Sequence, residues 1–168
     1  FQDFGRKNLY HIGIPFSGAM DNRNYTLANI ISGNKENNPV IEFAFQGPLL
    51  KLKGEKVNFN ITGNVNFNII KNQNTIEGNC YQNYILEDGD ELDILSTNNS
   101  VYGYLSISGN FDVKYQWNSC STNTKAKIGA NEGKKIEKDQ LLNISNLHFK
   151  NLKRKLEYVN SKIENIRV

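Results

Sequence analysis

The sequence of 168 residues predicts a mainly β fold, a closed or nearly closed barrel with one short helix near its start. Three observations carry this expectation. Short runs of period-two or continuous apolar character recur between Val40 and Ser108, clusters of turn formers separate them, and a single stretch with helical spacing comes before them. Closing such a set of strands removes exposed sheet edges.

The first element is a shaped loop. In Gly13-Ile14-Pro15-Phe16-Ser17-Gly18-Ala19-Met20-Asp21, Pro15 fixes φ near −65° and the glycines are open to backbone angles that other residues avoid. Asp21 then stands where a helix N-cap belongs, Leu27, Ile30 and Ile31 follow at helical spacing, and Gly33 closes the helix. A helix N-terminus presents free N–H groups and the positive end of the macrodipole, so this junction is expected to favour a carboxylate, a phosphate or a developing oxyanion.

Strands are expected over Val40 to Phe45, Leu49 to Leu52, Val57 to Ile61, Val65 to Ile70, Tyr81 to Leu86, Glu91 to Leu95 and Val101 to Ser108. Between them lie Gln46-Gly47-Pro48, Gly54-Glu55, Gly63-Asn64, Asn72-Gln73-Asn74, Asp88-Gly89-Asp90 and Thr97-Asn98-Asn99, all turn chemistry. Val57-Asn58-Phe59-Asn60-Ile61 and Val65-Asn66-Phe67-Asn68-Ile69 read as the clearest hairpin pair, joined through Thr62-Gly63-Asn64, with asparagines on the wet face. After Leu147 the pattern changes. Leu152, Leu156, Val159, Ile163 and Ile166 form the stripe of an amphipathic helix, expected to act as a linker over 147–168 following a domain of residues 1–146.

Charge narrows the function classes. The net charge of +3 is concentrated from residue 150 onward, where six bases face two acids, so the body carries no basic face of the kind that meets nucleic acid. No segment approaches the ~20 apolar residues that span a bilayer, and the expectation is a cytoplasmic protein bound to neither nucleic acid nor membrane. Cys80, Cys120, His11 and His148 have no metal-ligand spacing.

Several strings together carry a resemblance. Gln2-Asp3-x-Gly5-Arg6, the Gly13 to Asp21 loop, Leu27-Ala28-Asn29, Gly33-Asn34, Ile41-Glu42, Gly47-Pro48, Gly89-Asp90-x-Leu92, Tyr104 to Val113 and Ser119-x-Ser121-Thr122 occur in order. The chain thereby resembles the biotin-dependent carboxyltransferase-like family, also called allophanate hydrolase subunit 2. That family includes the C subunit of bacterial 5-oxoprolinase and the antagonist of the Kip sporulation-kinase inhibitor. The resemblance implies a cyclophilin-like β-barrel. Because Phe1 falls inside the family's first motif and Ile166-Arg167-Val168 is similar to the start of its second half, it implies an N-terminal half only.

The function so implied is that of a C subunit, part of an ATP-dependent 5-oxoprolinase that opens 5-oxoproline to glutamate. Expected partners are the A subunit of that enzyme, a B-like (Kip-inhibitor-like) carboxyltransferase subunit and the chain's own second half; the cofactor is ATP with magnesium. Two alternatives stand beside it: the carboxyltransferase part of a urea carboxylase system, which would involve biotin, and a non-catalytic module that antagonises a kinase inhibitor.

Asp3, Arg6, Ser17 and Asp21 are the expected catalytic residues, with Gly18, Ala19, Met20, Ser119, Ser121 and Thr122 lining the substrate site. Arg6 can grip a carboxylate with two parallel hydrogen bonds, as 5-oxoproline would offer. The amides of Gly18 and Ala19, or the Ser17 hydroxyl, could stabilise an oxyanion, and the Ser119 to Thr122 loop offers a second wall. A structural ion pair between Asp3 and Arg6 is the plainer reading of the residues alone. No Walker-type phosphate loop and no Ser-His-Asp order are present.

Overall fold

The computed structural model describes residues 1–149 and 153–157. One α-helix, α1 (Asn22–Ser32), leads into strands β1 (Ile41–Ala44), β2 (Leu49–Lys51), β3 (Val57–Thr62), β4 (Val65–Lys71), β5 (Asn74–Glu77), β6 (Asn83–Leu86), β7 (Glu91–Thr97), β8 (Tyr102–Ile107), β9 (Asn110–Phe111) and β10 (Ile144–Ser145). Two antiparallel four-stranded sheets, ordered β1-β8-β3-β6 and β2-β7-β4-β5, enclose the core, and β9 pairs with β10. The mainly β expectation holds, as a barrel whose two sheets are not joined into one ladder.

The core is what the alternating runs supply. Ile41, Phe43, Val57, Phe59, Ile61, Val65, Phe67, Ile69, Leu92, Ile94, Leu105 and Ile107 form one buried cluster. The supposed hairpin of β3 and β4 is a correction. β3 pairs with β6 and β8, whereas β4 pairs with β5 and β7, so the two strands lie in different sheets. Their apolar rows face one another through the core, with the Phe59 and Phe67 rings 6.3 Å apart and Tyr84 at 5.7 and 5.9 Å from them. An alternating pattern fixes which face of a strand is apolar, and leaves open which neighbour that face meets.

The asparagines of β3 are also not on a wet face, because α1 covers it. Asn60 Nδ2 donates to Ala28 O (3.0 Å) and Ser32 Oγ (2.7 Å), and Thr62 Oγ1 donates to Asn24 O (2.7 Å). The helix accordingly buries Asn24, Tyr25, Ala28, Asn29, Ile31 and Ser32, while Ile30 of the expected apolar stripe is exposed. Its ends match expectation: Asp21 caps the start and Gly33, at φ 73°, the finish.

Residues 153–157 correct part of the expected linker helix. They run extended beside β6, with Lys155 bridging Gln82, Asn83 N donating to Arg154 O (2.9 Å) and Leu156 N donating to Tyr81 O (2.8 Å). The remainder of the amphipathic stretch, 150–152 and 158–168, lies outside the described residues.

Candidate functional site

The N-terminal segment is the hub onto which three distant parts of the sequence fold. Gln2 bridges Val40 in antiparallel fashion, placing residues 1–6 beside the start of β1. On one flank Ala19 N donates to Asp3 O (2.9 Å) and Arg6 N to Phe16 O (2.7 Å), so the Pro15 loop lies against residues 3–6. Glycine is required for that approach: Gly5 has φ +81°, and a Cβ on it would stand 2.7 Å from Phe16 O. On the other flank Thr122 N donates to Phe1 O (2.9 Å) and Gln2 Nε2 to Thr122 O (3.2 Å).

Asp3 sits at the centre and is fully buried. Its Oδ1 accepts from Gly5 N (2.8 Å), Ser119 Oγ (2.7 Å) and Ser121 Oγ (2.6 Å), and its Oδ2 accepts from Cys120 N (2.7 Å). Burial alone would push the carboxyl up; the hydrogen bonds from Ser121, Ser119, Cys120 and Gly5 outweigh it and hold Asp3 below the usual carboxylate range. Nearby, burial first and the charge of Asp3 second push the Cys120 thiol well above its ordinary value. It is no nucleophile in that state.

The Ser119 to Thr122 loop therefore faces inward. The Ser119 and Ser121 hydroxyls are spent on Asp3, and Thr122 Oγ1 donates to Ala130 O (3.1 Å). This departs from the expected cleft wall, because a buried carboxylate needs donors more than a surface turn needs hydroxyls.

Arg6 is 2% exposed, yet Nε, Nη1 and Nη2 have no hydrogen-bond partner. Among the described residues no ion pair joins it to Asp3, which corrects the plainer reading of that pair. Burial lowers its pKa from the ordinary value, while the negative charge of Asp3 opposes the shift.

Asp21 belongs to a second cluster. Its carboxylate accepts from Asn24 N (3.0 Å) and Asn24 Nδ2 (2.7 Å), and its own N–H donates to the Tyr104 hydroxyl (2.7 Å). That hydroxyl donates to Glu42 Oε2 (2.9 Å), which also accepts from Met20 N (2.8 Å). Burial pushes the Glu42 carboxyl up. Of the expected anion-binding amides, Ala19 N is committed to Asp3 O, and the neighbouring amides of Met20, Asp21 and Asn24 to Glu42, Tyr104 and Asp21 respectively. Ser17, in the left-handed region at φ 57°, accepts from Asn123 Nδ2 (3.2 Å).

So the structure brings together Asp3, Gly18, Ala19, Ser119, Ser121 and Thr122, with Arg6 and Ser17 beside them, and sets Asp21 and Met20 apart around Glu42. Sequence reading passed over Glu42, Tyr104 and Asn123 as site residues; the first two lie within the family-like strings, but nothing in their type marked them. Outside the hub, Lys7, Asn8, Tyr10, His11 and Phe16 line an open surface cleft of about 690 Å³. Among the described residues no group of three or more His, Cys, Asp or Glu could hold a metal ion.

Comparison with known proteins decides the kinship. Residues 12–168 match the family model for the carboxyltransferase domain, subdomain A and B. The chain belongs to that family. It is 33% identical over 148 residues to the C subunit of 5-oxoprolinase from Haemophilus influenzae, a match covering 88% of this chain and 47% of that protein. It is 31% identical over 142 residues to the urea amidolyase of Saccharomyces cerevisiae, covering 84% of this chain and 8% of the relative. The crystal structure of TTHA0988 superposes with a TM-score of 0.80 at 25% identity, over 94% of this chain and 31% of that one. This member of the carboxyltransferase family thus spans about half the length of the 5-oxoprolinase relative it matches.

Proposed function

We propose that this carboxyltransferase-family chain is the N-terminal half of a C subunit, working in a multi-subunit 5-oxoprolinase that couples ATP hydrolysis to opening of 5-oxoproline. The observation that carries the reading is the 33% identity to such a protein over 88% of the chain. The hub fits the role of a rigid scaffold, since Asp3 ties together three segments and leaves the Arg6 fork unpaired beside them. Under this reading residues 1–146 form the domain, the rest leads to a second half, and the A and B subunits complete the site in the cytoplasm.

Asp21 caps the helix N-terminus through Asn24 N, and the amides of Ala19, Met20 and Asp21 already have partners, so a phosphate would have to displace these bonds to use them. Contact with ATP and magnesium is assigned to the partner proteins. Glutamate release from 5-oxoproline by the complex, dependent on ATP and on this chain, tests the reading. A complex that instead hydrolyses ATP in response to urea and bicarbonate would favour the carboxyltransferase role suggested by 31% identity to a urea amidolyase, with biotin as its carrier. Association without either turnover would leave a regulatory binding module.

A further inference from the structure

A strand at the edge of a sheet leaves a row of N–H and C=O groups open to any extended chain. At the start of β6 that row is met by residues 153–157. Asn83 N donates to Arg154 O (2.9 Å), Arg154 N donates to Asn83 Oδ1 (2.5 Å) and Leu156 N donates to Tyr81 O (2.8 Å), around the bridge between Gln82 and Lys155. The Arg154 side chain then crosses to the end of α1, where Nη1 donates to Ile30 O (3.4 Å) and Ile31 O (3.5 Å). These carbonyls belong to the last turn of the helix, the negative end of its dipole, where a cation is favoured. Gly33 completes the seat, since a Cβ on it would stand 2.4 Å from Nη1.

The attachment rests on polar contacts and a half-covered leucine. Leu156, the one aliphatic residue of 153–157, is 37% exposed, and the side chains of Lys155 and Glu157 stand in solvent. A segment with few buried apolar contacts and solvent-facing backbone bonds opens at a lower free energy than the molecule as a whole. The inner side of the same edge is built differently. Tyr81 is buried, its N–H donates to Ile61 O (2.8 Å) in β3, and its hydroxyl donates to Asn24 Oδ1 (2.9 Å) on α1. Residues 81–83 thus carry core bonds on one side and removable bonds on the other.

We propose that residues 153–157 are a releasable strap and that Arg154 is its latch. Closed, the strap covers the start of the β6 edge and braces the last turn of α1. Open, it exposes Asn83 N and Tyr81 O to another extended segment and frees the end of the helix. One residue controls both contacts, because the Arg154 backbone holds the sheet edge while its guanidinium holds the helix carbonyls. Release at the edge is therefore felt at α1, the helix that follows the Asp21 cap. The device goes beyond the proposed 5-oxoprolinase role and does not depend on it.

The test is hydrogen exchange of the ¹⁵N-labelled 168-residue chain, read amide by amide by NMR. In wild type, Asn83 N and Leu156 N should exchange at least about tenfold faster than Tyr81 N and Ser108 N, which donate to Ile61 O and Asn58 O within the barrel. Arg154→Gln should speed exchange at Asn83 and Leu156 by about fivefold more, together with Gly33 N and Asn34 N at the helix end, and leave Tyr81 and Ser108 unmoved. Equal rates for strap and barrel amides in wild type would mean that the strap opens only when the whole molecule unfolds, and would overturn its release. Strap amides indifferent to Arg154→Gln would overturn the latch, and an indifferent helix end would overturn the bracing. The wild-type comparison decides release even if the variant fails to fold.

Discussion

Asp3→Asn changes one atom of the hub and leaves its volume intact. Four donors converge on the two oxygens, three on Oδ1 and one on Oδ2. The amide oxygen of Asn can replace Oδ1, but the amide nitrogen then points a donor at Cys120 N–H, which is left unpaired in the interior. An unsatisfied buried donor costs about 1–3 kcal/mol, and the three retained bonds lose charge assistance worth up to about 1 kcal/mol each. Removing the anion also strips Arg6 of the carboxylate that offsets its charge, so the sum is on the order of 3–5 kcal/mol, the range for breaking a buried charged cluster. Against a total stability of roughly 5–15 kcal/mol, that is a large fraction. Urea unfolding followed by circular dichroism at pH 7 measures it. The pH dependence supplies a second reading. The folded carboxyl is held below its unfolded value of about 3.9, so its stabilisation is complete above that value and is lost as pH falls through the folded pKa. The gap between wild type and variant must therefore narrow at low pH. A variant within about 1 kcal/mol of wild type at pH 7, where single surface changes already fall, would refute the reasoning.

Glu42→Gln should behave in the opposite sense. The folded carboxyl is raised, so wild type loses stability as pH rises from the unfolded value through the folded one; Gln, able to accept from Met20 N and Tyr104 OH alike, abolishes that loss, and melting curves between about pH 4 and pH 8 should show the variant gaining on wild type as pH increases. Tyr104→Phe removes the hydroxyl that joins Asp21 N to Glu42 and should cost about 1–3 kcal/mol in urea unfolding. Gly5→Ala places a Cβ 2.7 Å from Phe16 O and 2.8 Å from Ser17 O at a positive φ, and should destabilise by at least about 1–3 kcal/mol, with loss of hydrogen-exchange protection at Arg6 N and Ala19 N as its local signature.

What the sequence made legible was whatever local chemistry determines. Asp21 and Gly33 bracket α1 because caps act within a few residues, and most strands were readable because alternation is a property of each strand alone. β5 was not, since Asn74, Thr75, Ile76 and Glu77 are all exposed at a sheet edge and leave no apolar pattern. The pairing of β3 with β6 and β8 was equally hidden, because two strands with identical Val-Phe-Ile rows can lie side by side or face to face. Within the hub, Asp3 and Ser121 are 118 residues apart, and no spacing rule links a carboxylate to hydroxyls at that distance. The type of residue at the site was readable, while the direction each side chain faces was a tertiary fact.

The polar seam under α1 connects these two levels. A helix held on a sheet by apolar contact alone can slide, since the hydrophobic effect is non-directional. Here Asn60 reaches Ala28 O and Ser32 Oγ, Thr62 reaches Asn24 O, Ser108 Oγ reaches Ser32 O (2.8 Å), and Tyr81 OH reaches Asn24 Oδ1 (2.9 Å). Each bond is directional and fixes the helix along and around its axis. The start of the helix is Asp21, whose backbone is tied through Tyr104 to Glu42, and Met20 and Ala19 precede it on the way to Asp3. A helix locked by hydrogen bonds thus sets the position of the loop that flanks Arg6. Asn60, which looked like part of the wet face of a hairpin, is in the fold one of the fasteners that hold the helix, and the loop before it, in register.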